Sequence, residues 1–312
     1  MTGRRDSPRV PEPTIRRTPE LSVRNVPILP NLITLANAFC GLLALAKGVD
    51  ALAFSQDDPA IFYRKLQTAC MLIFLGMVFD SLDGLVARLT RGASDFGAQL
   101  DSFSDALTFG VAPAILGKIL IDHEAGGHGR LTFLAAASFA LMAILRLVRY
   151  NLEHGTPQAP EEKAARPFFR GLPSPAAAGA VASTIWLYLV IRAPELERAE
   201  GLPTPFGTLV TWLRARDWSP VLEVGPLIVG LLLPVLGLLM VSNVRYLHPV
   251  KALAARRTNF FTLVVAVFVL FLFYAAAVPF LFVLFLGFVL TGVVLPVARR
   301  LRGRHRAPSP PR

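Results

Sequence analysis

Residues 227–241 read Leu227-Ile228-Val229-Gly230-Leu231-Leu232-Leu233-Pro234-Val235-Leu236-Gly237-Leu238-Leu239-Met240-Val241, with no charged side chain among them. Phe261–Phe273 is a second uncharged run. A buried helix of a soluble protein accounts for about ten to fourteen such residues; with their apolar flanks, these runs call for lipid as the solvent. Composition agrees. Of 312 residues, 54% are hydrophobic and 17% charged, and the mean hydropathy is +0.53. One soluble core of this size would leave much of that apolar surface in water.

Outward from these runs, the spacing of apolar stretches predicts an all-α, polytopic membrane bundle of about eight helices: 31–49, 66–90, 97–121, 131–151, 174–193, 222–243, 259–276 and 279–299. A membrane-embedded domain over 30–300 is then flanked by a Pro- and Arg-rich tail, 1–29, and a basic tail, 301–312. The first thirty residues lack the apolar core and cleavage site of a secretory signal and read as a flexible tail, with room for a surface-lying segment just before Pro30. Between the fifth and sixth helices, 194–220 has room for a short interfacial helix.

The net charge of +11 raises nucleic acid as a partner, but the basic residues occupy the tails and particular loops and do not interleave with aromatics on one face. Their distribution is topological. Placing both ends and the active site on the cytoplasmic side puts most of the 32 Lys and Arg on inside segments, as expected for an inner-membrane protein. Arg299–Arg306 then acts as an anchor that attracts anionic headgroups. Cys40 and Cys70 fall in apolar segments and read as packing residues.

Four aspartates interrupt this background. Asp80 and Asp83 are three residues apart near the end of the second helix; Asp101 and Asp105 are four apart near the start of the third. Each pair shares a helix face. The short connection makes the two helices antiparallel neighbours, so the carboxylates can converge. An ionised Asp in a spanning helix costs about 2.5–3.5 kcal/mol at the centre, so four approach about 10 kcal/mol before mutual repulsion, against only Arg88 and Arg91 nearby. A purely structural role leaves that charge underbalanced. Hard divalent cations (Mg²⁺, Mn²⁺ or Ca²⁺) balance it, and with no His or Cys in the set zinc is disfavoured. Gly84, Ala87 and Gly97 keep the same surface small, and Arg88 presents a planar fork of donors to phosphate. The combination describes a diphosphate site.

The run Asp80-x2-Asp83-Gly84-x2-Ala87-Arg88-x8-Gly97-x3-Asp101-x3-Asp105 resembles, without a departure, the signature of the CDP-alcohol phosphatidyltransferase family. The kinase-like tripeptide Asp95-Phe96-Gly97 has no His-Arg-Asp companion and is coincidental; Ser94 or Asp95 reads as a helix cap. The resemblance implies that Asp80, Asp83, Asp101 and Asp105 hold two metal ions, Mg²⁺ or Mn²⁺. It also implies that Asp105 is the general base and that Asp83, Gly84, Ala87, Arg88 and Gly97 contact the CDP group. In this chemistry an alcohol attacks the lipid-side phosphorus directly and CMP leaves.

Four further blocks resemble the type II phosphatidylserine synthases of that family: Pro30–Gly41, Phe109–Ala114, Gly171–Ala176 and Leu239–Tyr246. They imply CDP-diacylglycerol and L-serine as substrates among the bilayer lipids, and a homodimer. Another acceptor, a different amino alcohol or a polyol phosphate, is the alternative within the class; a cation transporter is the alternative outside it. Asn31 and Thr34 either touch the nucleotide or cap the first helix. Arg146 and Arg149, with Asn151, either bind the serine carboxylate or anchor the helix at the interface. Val148 and Tyr150 depart from the subfamily's usual Ala and Phe. Asp122, His123, Glu124 and His128 have metal-like composition but fall in a Gly-rich loop at the far membrane face, where they read as a solvated turn.

Overall fold

Along the first helix, α1 (Ile28–Leu52), Leu32, Leu35, Phe39 and Leu42 point outward, whereas Thr34, Asn37, Ala38, Gly41, Ala44 and Gly48 are buried. The large apolar side chains are on the outside and the small or polar ones inside, the arrangement of a helix dissolved in lipid and packed through close backbone approach. The computed structural model of the chain describes residues 28–90, 94–126, 129–155, 168–193, 216–247 and 276–304, with Val269 and Leu272.

α2 (Pro59–Leu89) starts earlier than the apolar pattern indicates. Asp58 caps it by accepting from the Ala60 and Ile61 amides, and Pro59 occupies the first turn. α3 (Asp95–Asp105) is capped by Ser94, whose Oγ accepts from Gly97 N at 3.0 Å. It runs without a break into a π-helical segment, Ala106–Val111, in which Ala112 N–H reaches back to Leu107 O, and then into α4 (Ala112–Glu124). α5 (Gly129–Gly155), α6 (Ser174–Arg192), α7 (Ser219–Val241) and α8 (Ala277–Arg304) complete the helices among the described residues.

Six helical passages are long and apolar enough to cross a membrane: Ile28–Leu52, Pro59–Leu89, Phe96–Glu124, Gly129–Glu153, Ser174–Arg192 and Ser219–Val241. They correspond to the first six predicted spans, and the protein is a multi-pass membrane protein. The expected total of eight is not reached among the described residues. The apolar part of α8, which answers to the predicted 279–299, covers only Ala277–Gly292. The predicted 259–276 span lies outside the described residues apart from Val269, Leu272 and Ala276, as do nearly all of the 1–29 tail and most of 194–220 and 301–312. Where those boundaries can be compared, Ile28 and Leu29 already belong to α1 and α8 continues to Arg304.

α6 is the central helix. Ala177, Ala178, Ala180, Val181, Ala182 and Ile185 are fully buried, and its small residues let neighbours come close. A Cβ on Gly179 would meet the Phe285 ring of α8 at 2.4 Å. Cys40 and Cys70 are buried and unbridged, as their apolar setting predicts.

Two features depart from the sequence reading. A two-stranded antiparallel pair that the sequence did not announce, β1 (Phe168–Arg170) and β2 (Arg245–Leu247), joins the segments before α6 and after α7, a small addition to a bundle that is all-α as predicted. Gly171 follows β1 with φ +79, and its N–H donates to Val244 O at 2.8 Å. At the other end of the bundle, the residues read as a solvated turn are largely engaged. Glu124, with a side chain only 10% exposed, accepts from Tyr63 Oη at 2.6 Å and Tyr188 Oη at 2.8 Å, and pairs with Arg192 at 3.4 Å. His123 stacks on Phe62, and Asp122 accepts from Lys118 and from Thr132 at 2.7 Å. A buried carboxylate needs such donors, and they come here from α2 and α6. His128 lies outside the described residues.

Candidate active site

α2 and α3 bring the aspartates together as the spacing predicts. One carboxylate oxygen each from Asp80, Asp101 and Asp105 lies within 4.8 Å of the other two, an arrangement able to hold a metal ion. Burial and the mutual repulsion of these carboxylates make the cluster unfavourable unless a cation shares it. Asp83 lies outside this trio but close enough for its charge to act on all three. It is buried, and its Oδ2 has no hydrogen-bond partner among the described residues.

Asp83 faces a cavity of about 200 Å³ that it shares with Asp101. Asn31 and Thr34 from α1, Gly84 and Ala87 from α2, and Ser94, Gly97 and Ala98 around the start of α3 complete most of its wall. Every residue expected to contact CDP therefore lines this cavity except Arg88, whose Nε donates back to Gly84 O at 2.9 Å. Gly84 has open space where a Cβ would stand, so the cavity's wall there is bare backbone. At Gly97 a Cβ would meet Asn31 Oδ1 at 3.0 Å. Thr34 Oγ1 donates to Pro30 O inside its own helix, whereas Asn31 Nδ2 is buried with no partner among the described residues. The alternative of a helix cap thus describes neither residue; both are in the wall.

The three basic and amide candidates separate. Arg146 is half-buried, donates from Nη1 to Ser174 Oγ at 2.6 Å, lies close enough to Asp105 to feel its charge, and has no partner for Nε among the described residues. Arg149 is committed elsewhere: to Glu153 at 3.0 Å, Val241 O at 3.1 Å and Asn243 Oδ1 at 2.9 Å. Asn151 donates to Ser102 Oγ at 2.9 Å, beside Asp101.

Sequence reasoning missed Asn37. Fully buried in α1, it donates from Nδ2 to Asp105 Oδ1 at 3.3 Å. It missed Ser174 as the partner of Arg146. An uncharged side chain in a small-residue face gives no energetic alarm, so neither stood out.

Comparison with known sequences settles the family. The profile of the CDP-alcohol phosphatidyltransferases matches residues 27–218, well over half of the chain and all of the aspartates and cavity walls. The chain belongs to the CDP-alcohol phosphatidyltransferase family. Among similar members, a Bacillus subtilis protein named CDP-diacylglycerol–serine O-phosphatidyltransferase is 33% identical over 147 residues, 47% of this chain and 69% of that protein. A Methanocaldococcus jannaschii protein of the same name is 37% identical over 131 residues, 42% of this chain and 52% of that one. A Methanothermobacter thermautotrophicus archaetidylserine synthase is 37% identical over 158 residues, 50% and 56% respectively. Apart from the B. subtilis protein, the chain spans about half the length of these relatives. CDP-alcohol phosphatidyltransferases depend on divalent metal, and the Asp80, Asp101 and Asp105 oxygens fit that requirement.

Proposed function

We propose that the protein transfers the phosphatidyl group of CDP-diacylglycerol to the hydroxyl of L-serine, giving phosphatidylserine and CMP. The observation that carries this reading is the junction of two features: a carboxylate cluster, and a cavity walled by the CDP residues of the family signature. The serine acceptor is supported by the names of the relatives and by the four sequence blocks outside the signature.

In this reading the nucleotide occupies the cavity, with its diphosphate toward Asp101 and with Arg88 available to its oxygens. Asp80, Asp83, Asp101 and Asp105 would hold two ions, Mg²⁺ or Mn²⁺, which supply charge stabilisation for the attacking and leaving oxygens. Asp105 accepts the proton of the serine hydroxyl as that oxygen bonds to the lipid-side phosphorus. The bond from phosphorus to the bridging oxygen breaks, and CMP departs with its electron pair. Arg146, held by Ser174 and with no partner for Nε among the described residues, is the residue best disposed to take the serine carboxylate. Arg149 and Asn151 fix the wall around it.

The catalytic unit spans 30–300 and works as a homodimer in the inner membrane, with both termini and the site on the cytoplasmic side, where most basic residues are placed. Crosslinking in native membranes and labelling of single cysteines introduced at Ser94 and Glu153 test assembly and sidedness. The deciding assay is CMP release from CDP-diacylglycerol by purified protein in nanodiscs, with Mn²⁺ or Mg²⁺ and a series of acceptors. Serine-dependent release supports the reading. Release with a polyol phosphate or another amino alcohol alone replaces the acceptor, and none with any acceptor overturns it.

A further inference from the structure

Between α1 and the start of the π-helical segment, three side-chain hydrogen bonds cross within two turns. Ser104 Oγ donates to Thr34 O at 3.1 Å, Thr108 Oγ1 donates to Asn37 O at 3.0 Å, and Asn37 Nδ2 donates to Asp105 Oδ1 at 3.3 Å. Ser104, Thr108 and Asn37 are all fully buried. The helices meet closely here because glycine permits it. A Cβ on Gly41 would be 2.4 Å from Thr108 Oγ1, and one on Gly76 would be 2.6 Å from Thr108 Cγ2 and 3.0 Å from Asn37 Oδ1. Thr34, Asn37 and Gly41 follow one another at helical spacing on the α1 face turned toward this contact.

We infer that Asn37 is a positioning residue for the reaction: its amide fixes the plane of the Asp105 carboxylate, while the Thr108 hydroxyl holds the Asn37 backbone carbonyl and the Ser104 hydroxyl holds that of Thr34, one turn earlier on the same helix. The inference rests on the role given to Asp105 above. The amide turns its donor, Nδ2, toward Asp105. Asn37 Oδ1 is then buried against Gly76 with no partner among the described residues. Leaving a buried amide oxygen unsatisfied is unfavourable, and packing alone does not require an amide at this position. Groups that hold a ligating carboxylate from behind typically change metal affinity or activity about 10–100-fold when removed.

Two measurements on purified full-length protein in nanodiscs test this. Asn37→Ala is expected to bind Mn²⁺ about 10–100-fold more weakly, read as the free-Mn²⁺ electron paramagnetic resonance signal with no substrate present. It should also lower kcat for CMP release by a comparable factor at saturating metal, with the KM for CDP-diacylglycerol unchanged. A contact that only supports the fold predicts the opposite pattern: a lower Tm with Mn²⁺ affinity and kcat per folded molecule as in wild type. That result overturns the inference. Should Asn37→Ala fail to fold, Asn37→Asp keeps the shape but replaces the donor with an acceptor; its kcat should fall at least as far, and wild-type turnover would sink the proposal. Wild-type protein that is inert with every acceptor counts against the functional reading alone, and the Mn²⁺ arm then still decides on Asn37.

Discussion

Asp105 carries the heaviest assignment of any single residue. It shares its charge with Asp80 and Asp101, receives an amide from α1, and has Arg146 near it. Asp105→Asn retains the shape but accepts no proton; kcat for CMP release should fall about 10²–10⁴-fold while the protein elutes as folded material by size exclusion. Near-normal turnover would remove it as the base. The two arginines separate by a different readout. Arg146→Lys should raise the serine KM about tenfold, the loss of one charged hydrogen bond, with the KM for CDP-diacylglycerol unaffected. Arg149→Lys should leave the serine KM alone and lower Tm, because its three partners are Glu153, Val241 O and Asn243. The aspartates were legible in the sequence because a carboxylate in an apolar helix is costly enough to demand a reason. Asn37 and Ser174 were not, since their importance lies in which helix faces them.

Elements were readable in proportion to their length. Apolar stretches of spanning length located six helices, yet α2 begins at Pro59, where an Asp58 cap and not hydropathy sets the start. The three-residue strands β1 and β2 carry no periodicity and are joined only by the folded chain. Their junction depends on Gly171, whose positive φ and closeness to Met240 O (2.2 Å from a Cβ placed there) leave no room for a side chain. Gly171→Ala should therefore destabilise the protein by about 1–3 kcal/mol, seen as a lower Tm in detergent. A Tm equal to that of wild type would show that the strand pair contributes little to the fold.

At the scale of the molecule, the two ends of the bundle are built on opposite rules. One end gathers carboxylates with few cations to balance them; the other surrounds a single buried carboxylate, Glu124, with two tyrosines and Arg192. Glu124→Ala strands all three donors and should lower stability by about 1–3 kcal/mol, measured by thermal unfolding, without changing Mn²⁺ affinity at the distant cluster. A shift in that affinity would mean that the two ends are coupled. The sequence suggested a wet turn around Glu124 because its Gly-rich neighbourhood is real, but nothing local announced that Tyr63 and Tyr188 converge from elsewhere.

The π-helical segment at Ala106–Val111 has a consequence for how this chain can vary. It contains one residue more than an ordinary α-helix would need to join Asp105 to α4. Deleting one residue there would restore a regular spiral and leave α4 in register with the carboxylates, whereas the same deletion in the regular helix beyond it would rotate everything downstream by about 100°. Length changes elsewhere can be absorbed by loops. At this spot the helix itself can take up a one-residue difference, and the chemistry keeps its place against the rest of the bundle.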